Sequence, residues 1–199
     1  MINKRLQDFN LVLASRSVRR QYLLKELGLD FEIISTDVAE EYPETLAPEE
    51  IALFLAEKKA DSFDTSRMDE KRIIIAADTI VSLDGEILGK PRNFEEAFTM
   101  LKKLSGKKHD VITGVCIKSR SKKSLLHVTS QVYFKTLCDE EIEYYINNFR
   151  PYDKAGGYGI QEWIGYIGIA RLEGSFFNVM GLPVKEVYEE LLKNYSYLC

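Results

Sequence analysis

One segment constrains this chain more than any other. Ile73-Ile74-Ile75-Ala76-Ala77-Asp78-Thr79-Ile80-Val81 is an apolar, isoleucine-rich run with a carboxylate inside it. Such a run predicts a strand buried on both faces, as in a sheet covered by helices. Side chains alternate along a strand, so Asp78 shares a face with Ala76 and Ile80, and Thr79 takes the other. Burying a carboxylate is costly unless it is paired, hydrogen-bonded or bound to a metal. Asp78 is therefore predicted to be a working group, not a strand end turned to water.

The chain has 199 residues, enough for one large domain or two tightly joined lobes with a core that needs no disulfides. Its formal net charge of -4 argues against a non-specific nucleic-acid binder, which carries a basic excess. Positive charge is local: Arg16, Arg19 and Arg20 cluster near the start, and Lys118 to Lys123 form a second patch. Cys116, Cys138 and Cys199 form no CxxC pair and read as reduced thiols. His109 and His127 lack metal-ligand spacing. The first twenty residues are charged, and no apolar run approaches membrane length, so the expected location is the cytoplasm.

Along the chain, residues 10–14 predict a short strand. A helix follows from Val18 to Leu27, capped by Ser17 and stopped by Gly28, with Tyr22, Leu23 and Leu27 as its apolar face. Further strands are expected at 31–34 and 73–81, with a helix from Pro48 to Phe63 between them. Asp84-Gly85 marks a hairpin turn. Asn93 caps a helix that Gly106 ends. Residues 111–118 and 124–134 predict a hairpin around the basic loop. A helix from Asp139, a glycine-rich stretch at 155–161, a strand over 166–172 and a last helix opened by Pro183 complete the series. Strands and helices mix without strict alternation. That pattern predicts an α/β fold with a mixed sheet flanked by helices.

Several residues could carry chemistry. Ser15-Arg16-Ser17-Val18-Arg19-Arg20 joins a strand to a helix start, where free N–H groups and the helix dipole attract anions. Arginines there are disfavoured unless an anion joins them; a capped helix with solvated arginines is the plainer alternative. The segment is not a Walker A loop. Glu40, with Asp37 and Glu41 nearby, lies in an acidic loop; magnesium needs only one or two carboxylates besides substrate phosphates, so Glu40 and Asp78 would suffice. Lys58 and Lys59 share one helix, and the helical wheel does not decide which points inward. Lys90 follows the hairpin in Gly89-Lys90-Pro91. Gln161 ends the glycine-rich stretch and offers both a donor and an acceptor, which suits a base edge. In 174–183, the aromatics read as core; Asn178 and the glycines could shape a site, with structural use the plainer alternative.

Taken in order, these pieces resemble the Maf family of nucleotide pyrophosphatases. Leu13-Ala14-Ser15 with Ser17 and Arg19-Arg20, Lys59-Ala60, Ala77-Asp78-Thr79 and Gly89-Lys90-Pro91 carry the likeness. Leu104-Ser105-Gly106, His109, Thr113-Gly114-Val115, Lys154-Ala155-Gly156, Gly159-Ile160-Gln161 and Gly174 through Pro183 continue it. The resemblance implies a single Maf-like domain of two lobes around a central cleft (Maf/ITPase-like), often a homodimer. It also implies hydrolysis of a nucleoside triphosphate to a monophosphate and pyrophosphate with a divalent metal, magnesium or manganese. Asp78-Thr79 and Ile160-Gln161 resemble the branch acting on dTTP and UTP.

On this reading Asp78 is catalytic and, with Glu40, holds the metal. Ser15, Arg19, Arg20, Lys59 and Lys90 hold phosphates. Arg19, Thr79 and Gln161 bear on the base. Two positions depart from the family pattern: Val18 stands where proline is usual, and Glu162 where glycine follows Gln161. The competing expectations are a non-catalytic nucleotide-binding regulator of cell division, a metal-dependent phosphomonoesterase, and a nucleic-acid module using residues 118–123.

Overall fold

The computed structural model describes residues 6–35, 38–64 and 69–195, so Asp37 and Cys199 lie outside the described residues. In chain order the elements are β1 (Asn10–Leu13), α1 (Val18–Glu26), β2 (Phe31–Ile33), α2 (Pro48–Asp61), β3 (Arg72–Leu83), β4 (Glu86–Leu88) and α3 (Phe94–Leu104). Then come β5 (Lys108–Lys118), β6 (Lys123–Phe134), α4 (Asp139–Phe149), α5 (Trp163–Gly168), β7 (Ile169–Glu173), α6 (Phe176–Met180) and α7 (Val184–Tyr195). The strands form one seven-stranded sheet in the order β2-β1-β3-β5-β6-β7, with β4 on β3. It is mixed: β1 runs parallel to β2 and β3, while β4 is antiparallel to β3 and β7 to β6. The expected α/β class holds. None of the described helices is long and apolar enough to cross a membrane.

The chain divides into two compact units. The first takes residues 1–78, 113–128 and 181–199, the second 79–112 and 129–180. The first unit packs α2 against β1, β3 and β5 through small residues: Ala14, Ala56, Ala60 and Ala76 join Val12, Ile74 and Cys116 in one buried cluster. The approach is so close at Gly114 that an added Cβ would lie 2.3 Å from the Ala52 carbonyl oxygen. Ser17 caps α1 as expected, its hydroxyl accepting from the Arg20 N–H, and Gly28 ends the helix region with a φ of 71°. The predicted apolar face of α1 needs correction. Leu23 and Leu24 are buried, while Tyr22 is 55 % exposed. In the basic loop region Lys118 pairs with Asp61, and Lys123 with Glu57 and Asp61, so part of that local charge is neutralised within the protein.

The second unit holds the larger aromatic core, where Phe134, Tyr145 and Tyr158 pack with Leu101, Leu104, Ile142 and Ile146. Asp84 and Gly85 both have positive φ, which suits the tight turn of the β3–β4 hairpin. Asn93 caps α3 by accepting from the Glu96 N–H at 2.9 Å.

Two expectations fail here. Residues 163–168 are helical, and the strand begins only at Ile169. Ile164 and Gly168, four apart, are both buried, which is a helical and not an alternating pattern. Gly165 permits the turn, because a Cβ there would sit 1.8 Å from the Ile160 carbonyl oxygen. Phe176 and Phe177 are not core: they are 40 % and 47 % exposed and meet edge to face. Asn178 is structural, its amide donating to the Val111 carbonyl and the Ser130 hydroxyl.

Candidate active site

The site is built where β1 leaves the sheet and α1 begins, in the first unit. Ser15 is buried at the end of the strand. Its hydroxyl accepts from the Ser17 N–H at 3.2 Å and from Arg20 Nη1 at 3.5 Å. Arg20 Nε donates to the Gly181 carbonyl at 2.8 Å, which ties the arginine to the turn before α7. The first turn of α1 contains no acidic residue. Two arginines thus lie at a helix start, whose N–H groups and dipole favour an anion.

Asp78 sits in β3 at 7 % exposure, so the expected burial is real. Its Oδ1 accepts from Lys59 Nζ on α2. The same ammonium donates to Glu40 Oε1 at 3.1 Å. Lys59 therefore stands between the two carboxylates nominated from the sequence. Its side chain is 12 % exposed and that of Asp78 10 %, whereas Glu40 is at 44 %. The structure also decides between the consecutive lysines. Lys58 Nζ donates to the carbonyls of Ala39 and Glu41, at 2.9 and 3.1 Å. One lysine thus grips the backbone on both sides of Glu40 while the next takes its carboxylate.

The charges act on one another. The Arg20 side chain as a whole is only half-buried, but its guanidinium end lies deep enough for burial to lower its pKa. The negative charges of Asp78 and Glu40 oppose that shift, and neighbouring Arg19 adds to it. Asp78, Arg20 and Glu40 are thus within electrostatic reach of each other in one compact unit. Among the described residues, no group of three or more His, Cys, Asp or Glu side chains is placed to hold a metal. Two carboxylates converging on one cation still provide hard oxygen donors, and a magnesium-type ion draws its other ligands from water and phosphate.

Thr79, Lys90 and Gln161 belong to the second unit. Lys90 is exposed, and the carbonyl of Gly89 before it accepts from the Gly156 N–H at 3.0 Å. That bond joins the hairpin exit to the glycine-rich turn, where Gly156 and Gly157 have φ of 72° and 69°. Gln161 follows the turn, and its Oε1 is buried with no hydrogen-bond partner among the described residues.

Residues without an assigned role at the sequence level emerge beside it. Lys154 is buried and pairs with Asp153 at 2.6 Å and Glu162 at 3.1 Å. Tyr145 donates to Glu162 and accepts from the Gly159 N–H at 2.9 Å. A lysine directly before a glycine-rich turn was the available signal for Lys154. Nothing local marks Tyr145, which comes from a distant helix. The Gly181 carbonyl, partner of Arg20, was equally hidden, because backbone acceptors leave no sequence signature.

Fold and site together define an α/β protein that gathers cationic side chains and a helix start around a buried acid. Sequence comparison supplies the lineage. The chain matches the Maf family, described as Maf-like protein, over residues 10–194, and it belongs to that family. A protein of Flavobacterium johnsoniae named dTTP/UTP pyrophosphatase is 50% identical over 191 residues, covering 96% of this chain and 98% of its own. One of Porphyromonas gingivalis with the same name is 52% identical, covering 94% of each. Another, from Flavobacterium psychrophilum, is 45% identical over 98% of this chain and 99% of its own.

Proposed function

We propose that this chain hydrolyses dTTP and UTP to the monophosphate and pyrophosphate, as a single Maf-like domain. The observation that carries the reading is Lys59 held between Asp78 and Glu40, with the charge of Arg20 acting on the same acid. The relatives named for this activity, matched along nearly their whole length, support the choice of substrates.

In the proposed reaction water adds to the α-phosphorus, the α–β anhydride bond breaks, and pyrophosphate leaves. Asp78 orients the water and accepts its proton. Arg19, Arg20, Lys59 and Lys90 balance the phosphate charge that moves toward the leaving group. Ser15 and the N–H groups at the start of α1 add hydrogen bonds to phosphate oxygens. Asp78 and Glu40 would hold a divalent ion, magnesium or manganese, which when bound neutralises phosphate charge and lowers the pKa of a coordinated water. Thr79 and Gln161 select the base, with Arg19. A cytoplasmic location goes with this reading, as do the free thiols of Cys116 and Cys138. A homodimer follows from the family resemblance, and light scattering of the purified chain tests it.

The test is product identity. Purified protein is given dTTP, UTP and the other nucleoside triphosphates with magnesium or manganese, and the products are separated. Pyrophosphate with UMP or dTMP is expected. Orthophosphate as the released product, or no turnover with any triphosphate, contradicts the reading.

A further inference from the structure

Glu162 directly follows Gln161 in the chain, and the structure gives it a specific place. Glu162 Oε1 is 3.1 Å from the buried ammonium of Lys154. Its Oε2 accepts from the Tyr145 hydroxyl, and that hydroxyl in turn accepts from the Gly159 N–H at 2.9 Å. The Glu162 N–H donates to the Gly159 carbonyl at 3.0 Å. Burial, and then the hydrogen bond to Glu162 and its charge, raise the Tyr145 pKa, so the phenol stays protonated and keeps donating. The residue is therefore fixed at both carboxylate oxygens and at its backbone.

The fixed carboxylate lies over Gly159, and so does the amide of Gln161. A Cβ on Gly159 would meet Gln161 Nε2 and Glu162 Cδ, each at 2.9 Å, and Glu162 Oε2 at 3.0 Å. The two side chains share a platform that only glycine leaves open. Glu162 occupies one part of it and so limits where the Gln161 amide can rest. The other end of that amide, Oε1, is buried without a hydrogen-bond partner among the described residues. A buried acceptor in that state is costly unless a ligand supplies a donor. Uracil and thymine carry a donor at N3–H; cytosine has an acceptor at the same atom.

We propose that Glu162 is a positioning residue for base selection: anchored by Lys154 and Tyr145, it holds the Gln161 amide so that Oε1 meets the N3–H of a uracil or thymine ring. This rests on Gln161 being the base-selecting residue. The experiment separates the two ideas. The ratio of kcat/KM for UTP over CTP is measured for the wild type, Gln161→Ala, Glu162→Gly, Glu162→Gln and Tyr145→Phe, after thermal melts establish which variants fold. Glu162→Gly leaves Lys154 paired with Asp153, so it strands no charge.

The expected results are a loss of about 10-fold in the ratio for Glu162→Gly, carried mainly by KM for UTP, and a shift the same way for Tyr145→Phe. Glu162→Gln keeps one acceptor oxygen in place of two, so its ratio should fall between those of Glu162→Gly and the wild type. In the Gln161→Ala background, Glu162→Gly should change the ratio no further, because its effect passes through the amide. If Glu162→Gly fails to fold, Tyr145→Phe carries the test. An unchanged ratio in Glu162→Gly and Tyr145→Phe, with a collapsed ratio in Gln161→Ala, overturns the positioning role alone. An unchanged ratio in Gln161→Ala removes the base-selecting role beneath it.

Discussion

The ammonium of Lys59 is hydrogen-bonded to the buried carboxylate of Asp78, across the interface between α2 and β3. This pair explains how an acid can sit inside an isoleucine strand. It also sets the position of the cation that reaches out to Glu40. Helix and strand approach closely because the residues between them are alanines, and a four-carbon lysine stem can span what remains.

Consecutive lysines should behave differently when each is replaced by methionine. Lys59→Met leaves Asp78 buried without its cation, so urea unfolding should show a loss of about 3 kcal/mol, the scale of breaking a buried pair. Turnover should fall with it. Lys58 binds exposed backbone carbonyls, so Lys58→Met should cost about 1 kcal/mol or less. With Glu40 as a ligand of the proposed metal, its effect should appear as a higher magnesium concentration for half-maximal activity, because Glu40 is held less firmly. Equal stability losses in the two variants would contradict the division of labour.

Gly114→Ala is expected to be severely destabilising. The new methyl would lie 2.3 Å from the Ala52 carbonyl oxygen and 2.6 Å from the Leu53 nitrogen, and helix backbone cannot give way as a side chain does. A loss of about 3 kcal/mol or more is the scale of overpacking in a tight core. Gly85→Ala meets nothing within 4 Å and serves as the steric control, its strain coming only from a φ of 86°. Similar melting temperatures for Gly114→Ala and the wild type would refute the close approach.

Stability should depend on pH through His109. The ring is buried against Phe134 and Tyr158, with Nε2 2.7 Å from the Tyr158 hydroxyl. Burial pushes its pKa down to about 4 from the ordinary 6.5. Between those values the unfolded chain binds the proton and the folded protein does not, so acid favours unfolding. The contribution is complete above about pH 6.5 and is lost progressively as pH falls to about 4, amounting to about 3 kcal/mol. His109→Gln should flatten that part of the profile. A wild-type profile flat between pH 6.5 and 4 would contradict the buried neutral ring.

The sequence made much of this legible because local signals and tertiary structure agree. Ser17, Gly28, Asn93 and Asp84-Gly85 mark element ends by chemistry that acts within a few residues, and each works as read. Asp78 stood out because a carboxylate conflicts with its apolar neighbours. Where the sequence misled, side chains of both periods were plausible. Residues 163–168 are apolar enough for either a strand or a helix, and the close passage of the Ile160 carbonyl that only Gly165 allows is not visible in the residue types. Phe176 and Phe177 read as core from type alone, yet exposure is a property of the surroundings. The choice between Lys58 and Lys59 also lay beyond the helical wheel, since it depends on where the Glu40 loop returns. Backbone partners such as the Gly181 carbonyl were invisible for the same reason.

The most direct measurement is the rate of pyrophosphate release from UTP by Asp78→Asn, beside the wild type and with folding checked by circular dichroism. Asparagine keeps the shape of the side chain but cannot take a proton from water. The expected result is a folded protein whose turnover is lower by about 10²-fold or more, the scale of losing a positioned acid–base group. Near-normal pyrophosphate release from the folded variant would contradict the catalytic role of Asp78.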